Sequence, residues 1–230
     1  MNINTLVNLV VGCFLVSMRI FVWFIIVDLR KGLAITFTLL FTAQTIMDIA
    51  NYLLFWITVR LNGEQFFWFF YEATRDFPPA KCTFNFVFYF LKFEQHVCAV
   101  LITAHTYFSI SNPLKPKPKW MFPLLSTILN VQSLGLSVLI ISISQFWYEY
   151  NAEFGMFKAK APKQAYDIAV ICRVIFCTVM FALCTVLNIL SLRNLRSIAF
   201  KSLKKAEASL VVISTAIFVG QLCSIVVTPE

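Results

Sequence analysis

The sequence has 230 residues, of which 60% are hydrophobic and only 13% are charged. A soluble domain of this length could not hide so much apolar surface, because charged groups normally cover the outside, whereas a lipid bilayer accepts it. The net charge of +8 does not indicate a nucleic-acid partner, since the basic residues lie in short segments between apolar runs and form no continuous basic face.

Six apolar runs are long enough to cross a bilayer as helices, which takes about 20 mainly apolar residues each. They are residues 3–27, 33–59, 83–110, 121–147, 166–192 and 208–227. The first run is longer than the apolar part of a secretory signal peptide, so we expect it to be retained as a membrane span. The sequence therefore predicts an all-α, multi-pass transmembrane helical bundle that forms a single domain over residues 1–230.

The linkers between these runs differ in their content of basic residues. The first, third and fifth linkers carry ten lysines and arginines, whereas the second and fourth carry six. Because basic residues favour the cytoplasmic side of a membrane, the N-terminus is predicted to be extracellular. The aromatic clusters FFWFFY and QFWYEY then lie on the outer side, where we expect them to anchor the chain at the membrane interface and not to bind a ligand.

The inner end of the third run reads HTYFSISNPL and is followed by a basic Pro-Lys repeat. It resembles the pattern D-R-Y-x-x-I-x-x-P-L of seven-helix G-protein-coupled receptors at Tyr107, Ile110, Pro113 and Leu114. Trp120 stands where nematode serpentine chemoreceptors of the gamma superfamily open their fourth span. The segments DIANYLLFWITVRL, FEQH and KKAEASLVVIS are also similar to this group, closest to class gamma or class V.

The resemblance implies a rhodopsin-like architecture in the plasma membrane, with the sensory cilium as one expected location. It implies a receptor that binds a small molecule or peptide from the extracellular side and signals to a heterotrimeric G protein. The lipid bilayer is the other expected partner. The candidate G-protein-facing residues are His105, Thr106, Tyr107, Pro113, Arg196, Lys201, Lys204 and Lys205.

Three features depart from the family pattern. The arginine expected before Tyr107 is Thr106, which follows His105. Cys82 stands where rhodopsin-like receptors place a cysteine that bonds to the second outer loop, but residues 148–165 contain no cysteine to pair with it. Six spans are present and the seventh is missing, so we expect a shortened form with a gap beside its first and sixth spans.

Several polar residues interrupt the apolar runs, where each costs a few kcal/mol unless it is paired. They are Arg19, Asp48, Asn51, Lys92, Glu94, His96 and Arg173. The two arginines are close enough to span ends to extend their charges towards the membrane surface. Asp48 and Asn51 share one face of the second helix because they are three residues apart. The candidate ligand-pocket residues are Asp48, Asn51, Glu94 and His96, although structural pairs between helices or a proton or ion relay would also explain such groups.

Neither an enzyme nor a metal site is indicated. His96 and His105 are nine residues apart and therefore lie on opposite faces of a helix. No catalytic motif, phosphate-binding loop or metal-ligand spacing is present in the sequence, so we expect no cofactor.

Two other hypotheses remain besides a signalling receptor. The first is a small transporter or channel, which should show helices broken near the middle of the membrane, whereas the prolines here lie in linkers or at span edges. The second is a truncated receptor remnant that does not signal.

Overall fold

A computed structural model describes the chain over residues 3–28, 35–57, 61, 64–111, 121–143, 147–160 and 162–197. The predicted sixth span at residues 208–227 lies outside the described residues, as do Pro113, Lys201, Lys204 and Lys205.

The described residues contain six α-helices, a short 3-10 helix at Gln65–Phe67 and one β-hairpin. Their bounds are α1 Ile3–Asp28, α2 Ile35–Phe55, α3 Trp68–Asp76, α4 Pro78–Ser111, α5 Met121–Ile143, β1 Trp147–Asn151, β2 Met156–Lys160 and α6 Lys163–Ser197. By length and composition, the helical stretches 79–111, 122–143 and 163–195 could each cross a membrane. The predicted all-α bundle is confirmed, while the number of spans and their limits stay predictions.

Helix α4 is the central element, because α2, α5 and α6 all pack against it. Its buried side chains run through the middle of the bundle, and Phe93, Val97 and Ile102 are almost inaccessible. The outward faces of α5 and α6 expose large apolar side chains, among them Val131 and Ile175. This inside-out pattern is what a bundle surrounded by lipid requires, since lipid accepts apolar groups that water would not.

Helices α4 and α6 run side by side with an offset in sequence of 81 to 83 residues. Thr103 Oγ1 donates to Cys184 Sγ at 3.9 Å, and these residues are 81 apart in the chain. Further along, Asn194 Nδ2 donates to Ser111 Oγ at 2.9 Å across a separation of 83. A later residue of α4 contacts a later residue of α6, so the two helices are parallel. The neighbour in α6 of a residue on the facing side of α4 can therefore be predicted from its number.

Helices α4 and α6 extend past the predicted limits of their spans. Helix α4 begins at Pro78, not at residue 83, so Cys82 lies inside the helix, where its thiol is free and exposed. Proline is well suited to the first turn of a helix, where its missing N–H leaves no bond unmade. A helix of 34 residues is about 51 Å long, which exceeds the hydrocarbon core of a bilayer, about 30 Å.

The fourth linker is not an open loop. Helix α5 ends at Ile143, and Trp147, which the sequence placed in the fourth span, pairs with Lys160 across an antiparallel hairpin. The turn is made by Asn151, whose side-chain oxygen accepts from the backbone N–H of Glu153 at 3.0 Å, and by Gly155, which has a φ of 60°. Glycine suits this left-handed position because it has no Cβ to clash.

The hairpin and α3 form a small aromatic core of their own. Tyr71 of α3 contacts Tyr148 of β1 at a centroid distance of 4.9 Å and stacks on Phe157 of β2 at 5.3 Å. The Tyr71 hydroxyl donates to the backbone oxygen of Ile57. Tyr71 and Tyr148, one from each of the two predicted anchoring clusters, are buried against each other, whereas Phe69 is exposed. The anchoring role of the clusters stays a prediction. We call α3 and the hairpin together the aromatic cap.

Candidate functional site

The carboxylate of Asp48 is the centre of a polar network inside the bundle. Its Oδ2 lies 2.5 Å from the guanidinium of Arg19 in α1. Its Oδ1 accepts from Gln44 Nε2 at 2.8 Å and from Gln95 Nε2 at 2.7 Å. One carboxylate thus binds groups from three helices, α1, α2 and α4, and charge-assisted bonds of this kind are the strong ones.

Helix periodicity explains how α2 contributes to this network. Gln44, Asp48 and Asn51 are separated by one turn each and so share one face of the helix. The Asn51 side-chain amide donates to the backbone oxygen of Leu91 at 2.9 Å and to Gln95 Oε1 at 3.2 Å. Gln95 therefore accepts from Asn51 with its oxygen and donates to Asp48 with its nitrogen, which joins α2 to α4 at two points.

Arg19 does not extend its charge to the membrane surface as expected from the sequence. Its guanidinium pairs with Asp48 and also lies over the ring of Phe41, 4.9 Å from the ring centroid. The side chain is only 22% exposed. A buried carboxylate within reach stabilises the cation more than partial solvation at a distant surface would, because the interior screens charges weakly.

Glu94 lies on a different side of α4 from Gln95. It is buried, at 4% exposure, and its carboxyl lies beside Ser133 of α5, although neither Glu94 Oε1 nor the Ser133 hydroxyl makes a hydrogen bond of ordinary length. Glu94 and Asp48 are both close enough to Cys98 to act on its thiol electrostatically. The two carboxyl groups thus flank one buried region of the bundle.

His96 faces a third direction, towards α6. Its Nε2 lies 3.4 Å from Cys177 Sγ. The four candidate pocket residues are therefore not gathered into one pocket. Asp48 and Asn51 belong to the α1–α2–α4 network, whereas Glu94 faces α5 and His96 faces α6.

The inner end of α4 holds the candidate G-protein-facing residues. The ring of His105 lies between those of Phe37, at 6.1 Å, and Phe122, at 5.7 Å. Thr106 is fully buried, and its hydroxyl donates to the backbone oxygen of Ile102 at 2.9 Å. Tyr107 is half-buried beside Phe108. Of this set, only Tyr107 and His105 retain partial exposure among the side chains that the structure describes.

The part of the chain that the structure describes contains no group of three or more His, Cys, Asp or Glu side chains able to hold a metal ion. Its polar groups are instead arranged to bond one helix to another. The sequence profile of the Srg family of chemoreceptors matches residues 4–228. The chain belongs to the Srg family of chemoreceptors. No curated protein matches it significantly.

Membership in the Srg family confirms the resemblance found in the sequence, since Srg proteins are serpentine chemoreceptors of nematodes. This Srg chain is therefore a multi-pass integral membrane protein of receptor type. The Srg family is a receptor family, which is compatible with the expectation that the chain is not an enzyme.

Sequence analysis of this Srg chain missed several members of its polar network. Gln44 and Gln95 are not conspicuous in the sequence, because an uncharged amide in an apolar run carries no charge that requires a partner. Arg19 was recognised as polar but assigned to the membrane surface. The spacing of Gln44 and Asp48 by four residues was the available signal, because it places an amide donor beside the carboxylate on one helix face.

Proposed function

We propose that this Srg protein is a chemosensory receptor that binds a small molecule or peptide from the extracellular side and signals to a heterotrimeric G protein. Family membership supports the receptor class. The observation that carries the mechanism is the set of polar contacts by which α4 is bonded to α2 at Gln95 and to α6 at Cys177 and Asn194. A ligand that alters one of these contacts can move α4 against its neighbours.

The orientation follows the basic residues of the linkers. With the N-terminus extracellular, the aromatic cap lies outside and the basic linkers that follow α4 and α6 lie in the cytosol. We place the receptor in the plasma membrane, including that of the sensory cilium. The lipid bilayer is its constant partner, and no nucleic acid is involved.

Signalling is proposed as a shift between two arrangements of the inner helix ends. A ligand stabilises whichever arrangement it binds more tightly. The free energy by which it shifts the equilibrium equals the difference between its binding free energies for the two arrangements. In the structure the inner ends of α4 and α6 are held together by the bond from Asn194 to Ser111, and Thr106 is buried beneath them. Separation of these ends would expose Thr106 beside His105 and Tyr107 for the G protein.

The proposal is tested by weakening the inner contact. Asn194→Ala removes the 2.9 Å bond to Ser111 and should favour the separated arrangement, giving a higher basal signal in a G-protein reporter assay. Asn130→Ala is a matched control, because Asn130 Nδ2 bonds only within α5 among its described hydrogen bonds, to Ser126 O and Oγ. A reporter that stays silent for the wild type, for Asn194→Ala and across a ligand library would contradict the proposed coupling.

A further inference from the structure

A pair of cations lies between α4 and α6, on a face of α4 about 100° round the helix from the face that joins the Asp48 network. Arg173 follows Lys92 by 81 residues, the same separation that joins His96 to Cys177 and Thr103 to Cys184. Because the two helices are parallel, this shared separation places Lys92 and Arg173 at about the same level of the bundle.

Helix periodicity places the two cations on the sides by which α4 and α6 meet. Lys92 is one turn before His96 on α4, and Arg173 is one turn before Cys177 on α6. Since His96 Nε2 and Cys177 Sγ meet at 3.4 Å, the side chains one turn outward on the same two faces converge as well. Both Lys92 and Arg173 are close enough to the Cys177 thiol to act on it electrostatically.

Aromatic rings lie beside this pair. Lys92 Nζ lies 4.2 Å from the centroid of the Phe88 ring, and the next residue of α4, Phe93, packs on Phe176 at a centroid distance of 4.7 Å. Both cations are half-buried. Two like charges at one level of a low-dielectric bundle raise each other's energy, and an anion placed between them lowers it. Each of the two side chains has further contacts, so the inference depends on their charge and position alone.

We propose that Lys92, Arg173 and His96 form a binding site for the oxyanion of a small organic acid, such as a carboxylate or phosphate group. This inference rests on the proposed receptor function and names the chemical class of its ligand. The guanidinium of Arg173 matches two oxyanion oxygens, Lys92 supplies a second positive charge, and His96 Nε2 lies one turn deeper. The aromatic rings beside the site favour an acid with an apolar body.

Benzoate is a suitable probe, and benzamide is its uncharged counterpart of nearly the same shape. The full chain in nanodiscs of phosphatidylcholine is unfolded thermally with each compound over a range of concentrations. Benzoate should raise the unfolding temperature of the wild type by a few degrees at saturation, and benzamide should not. In Lys92→Gln and Arg173→Gln the apparent dissociation constant for benzoate should increase about tenfold or more.

Two further variants distinguish binding of benzoate at this site from a general effect of positive charge. Lys160→Gln removes an exposed cation of the hairpin and should leave the benzoate shift unchanged. Arg173→Lys keeps the charge but loses the planar fork, so it should bind benzoate with intermediate strength. A benzoate shift that is absent in the wild type, or that persists in Lys92→Gln and Arg173→Gln, would overturn the inference.

An acidic lipid headgroup offers the same chemistry from a different source. If discs containing phosphatidylglycerol stabilise the wild type but not Arg173→Gln, while benzoate has no effect in neutral discs, the site binds lipid and the proposal of a soluble ligand is wrong. None of these measurements involves a G protein. Loss of the anion site would therefore leave the reporter result for Asn194→Ala intact, and a silent reporter would leave the benzoate result intact.

Discussion

Asp48 is the residue on which the contact between α1 and the rest of the bundle most depends. Asp48→Asn removes the charge opposite Arg19 and leaves the guanidinium half-buried without its carboxylate. Breaking one partner of a buried ion pair costs about 3 kcal/mol or more, because the remaining charge stays desolvated. We expect a clear drop in the thermal unfolding temperature of the protein in nanodiscs.

The chain offers a matched control for this substitution. Lys160 and Glu149 also form an ion pair at 2.5 Å, but their side chains are 54% and 50% exposed. Exposed pairs contribute about 0–1 kcal/mol, so Glu149→Gln should change the unfolding temperature little. Equal effects of Asp48→Asn and Glu149→Gln would show that the Asp48 network does not stabilise the bundle.

Gly12 marks a close approach of α1 to α2. A Cβ at this position would overlap the ring and hydroxyl of Tyr52, so the tyrosine would have to move. Forcing atoms into a packed contact costs about 1–3 kcal/mol, and Gly12→Ala should lower the unfolding temperature accordingly. Gly135→Ala is the comparison, because nothing lies within 4 Å of its Cβ and alanine favours helix. If Gly12→Ala and Gly135→Ala changed the unfolding temperature equally, the close approach of α1 to α2 at Gly12 would be contradicted.

Much of the candidate site could not be predicted from the sequence at the scale of individual residues. The spacing of Asp48 and Asn51 correctly placed both on one face of α2, because that depends on local helix geometry alone. The partner of Asp48 in α1 is 29 residues away, and a single sequence contains no signal for which of the polar residues on other helices it meets. The different neighbours of Glu94 and His96 could not be predicted for the same reason, since this required the faces of α4 to be assigned to three different helices.

The aromatic cap is the element whose stability can be measured separately from the bundle. Phe157 is almost inaccessible and contacts Tyr71, Tyr150 and Trp68. Phe157→Ala should cost about 3–5 kcal/mol and open the hairpin locally. Hydrogen exchange should show lost protection in residues 147–160 and unchanged protection in α5. Phe154→Ala, which truncates an exposed ring, should have little effect; loss of protection there as well would argue against a packed cap.

Burial within the cap raises the pKa of Tyr71 and of Tyr148 above the ordinary tyrosine value. Because their pKa values are higher in the folded cap than in the unfolded chain, the cap keeps its full stability below pH of about 10 and loses it as the pH rises further. An alkaline titration followed by tyrosinate absorbance should show these two side chains ionising only as the hairpin loses its exchange protection. Early ionisation with the hairpin intact would contradict their burial.

Long helices were the most predictable elements, and the hairpin was the least. An apolar run of more than 20 residues has few alternatives to a membrane helix, since every backbone group must be bonded internally in lipid. The hairpin strands have only five residues each and carry mixed polar and aromatic side chains, which resemble a linker. The turn formed by Asn151 and Gly155 was the one local indication that the chain reverses there.

At the scale of the whole molecule, the basic linkers and the aromatic cap are predicted to lie on opposite sides of the membrane. We expect the basic linker between α4 and α5 to be cytosolic and the hairpin to be extracellular. Cys82 is exposed at the cap end of α4, so a Cys82→Ser background is needed before single cysteines are introduced. In that background Lys158→Cys should react with a membrane-impermeant maleimide on intact cells, and Lys117→Cys should react only after permeabilisation. Labelling of Lys117→Cys on intact cells, with Lys158→Cys protected, would show that the orientation is the reverse. The anion site, which is nearer the aromatic cap, would then open to the cytosol. This result would exclude the proposed receptor for external ligands.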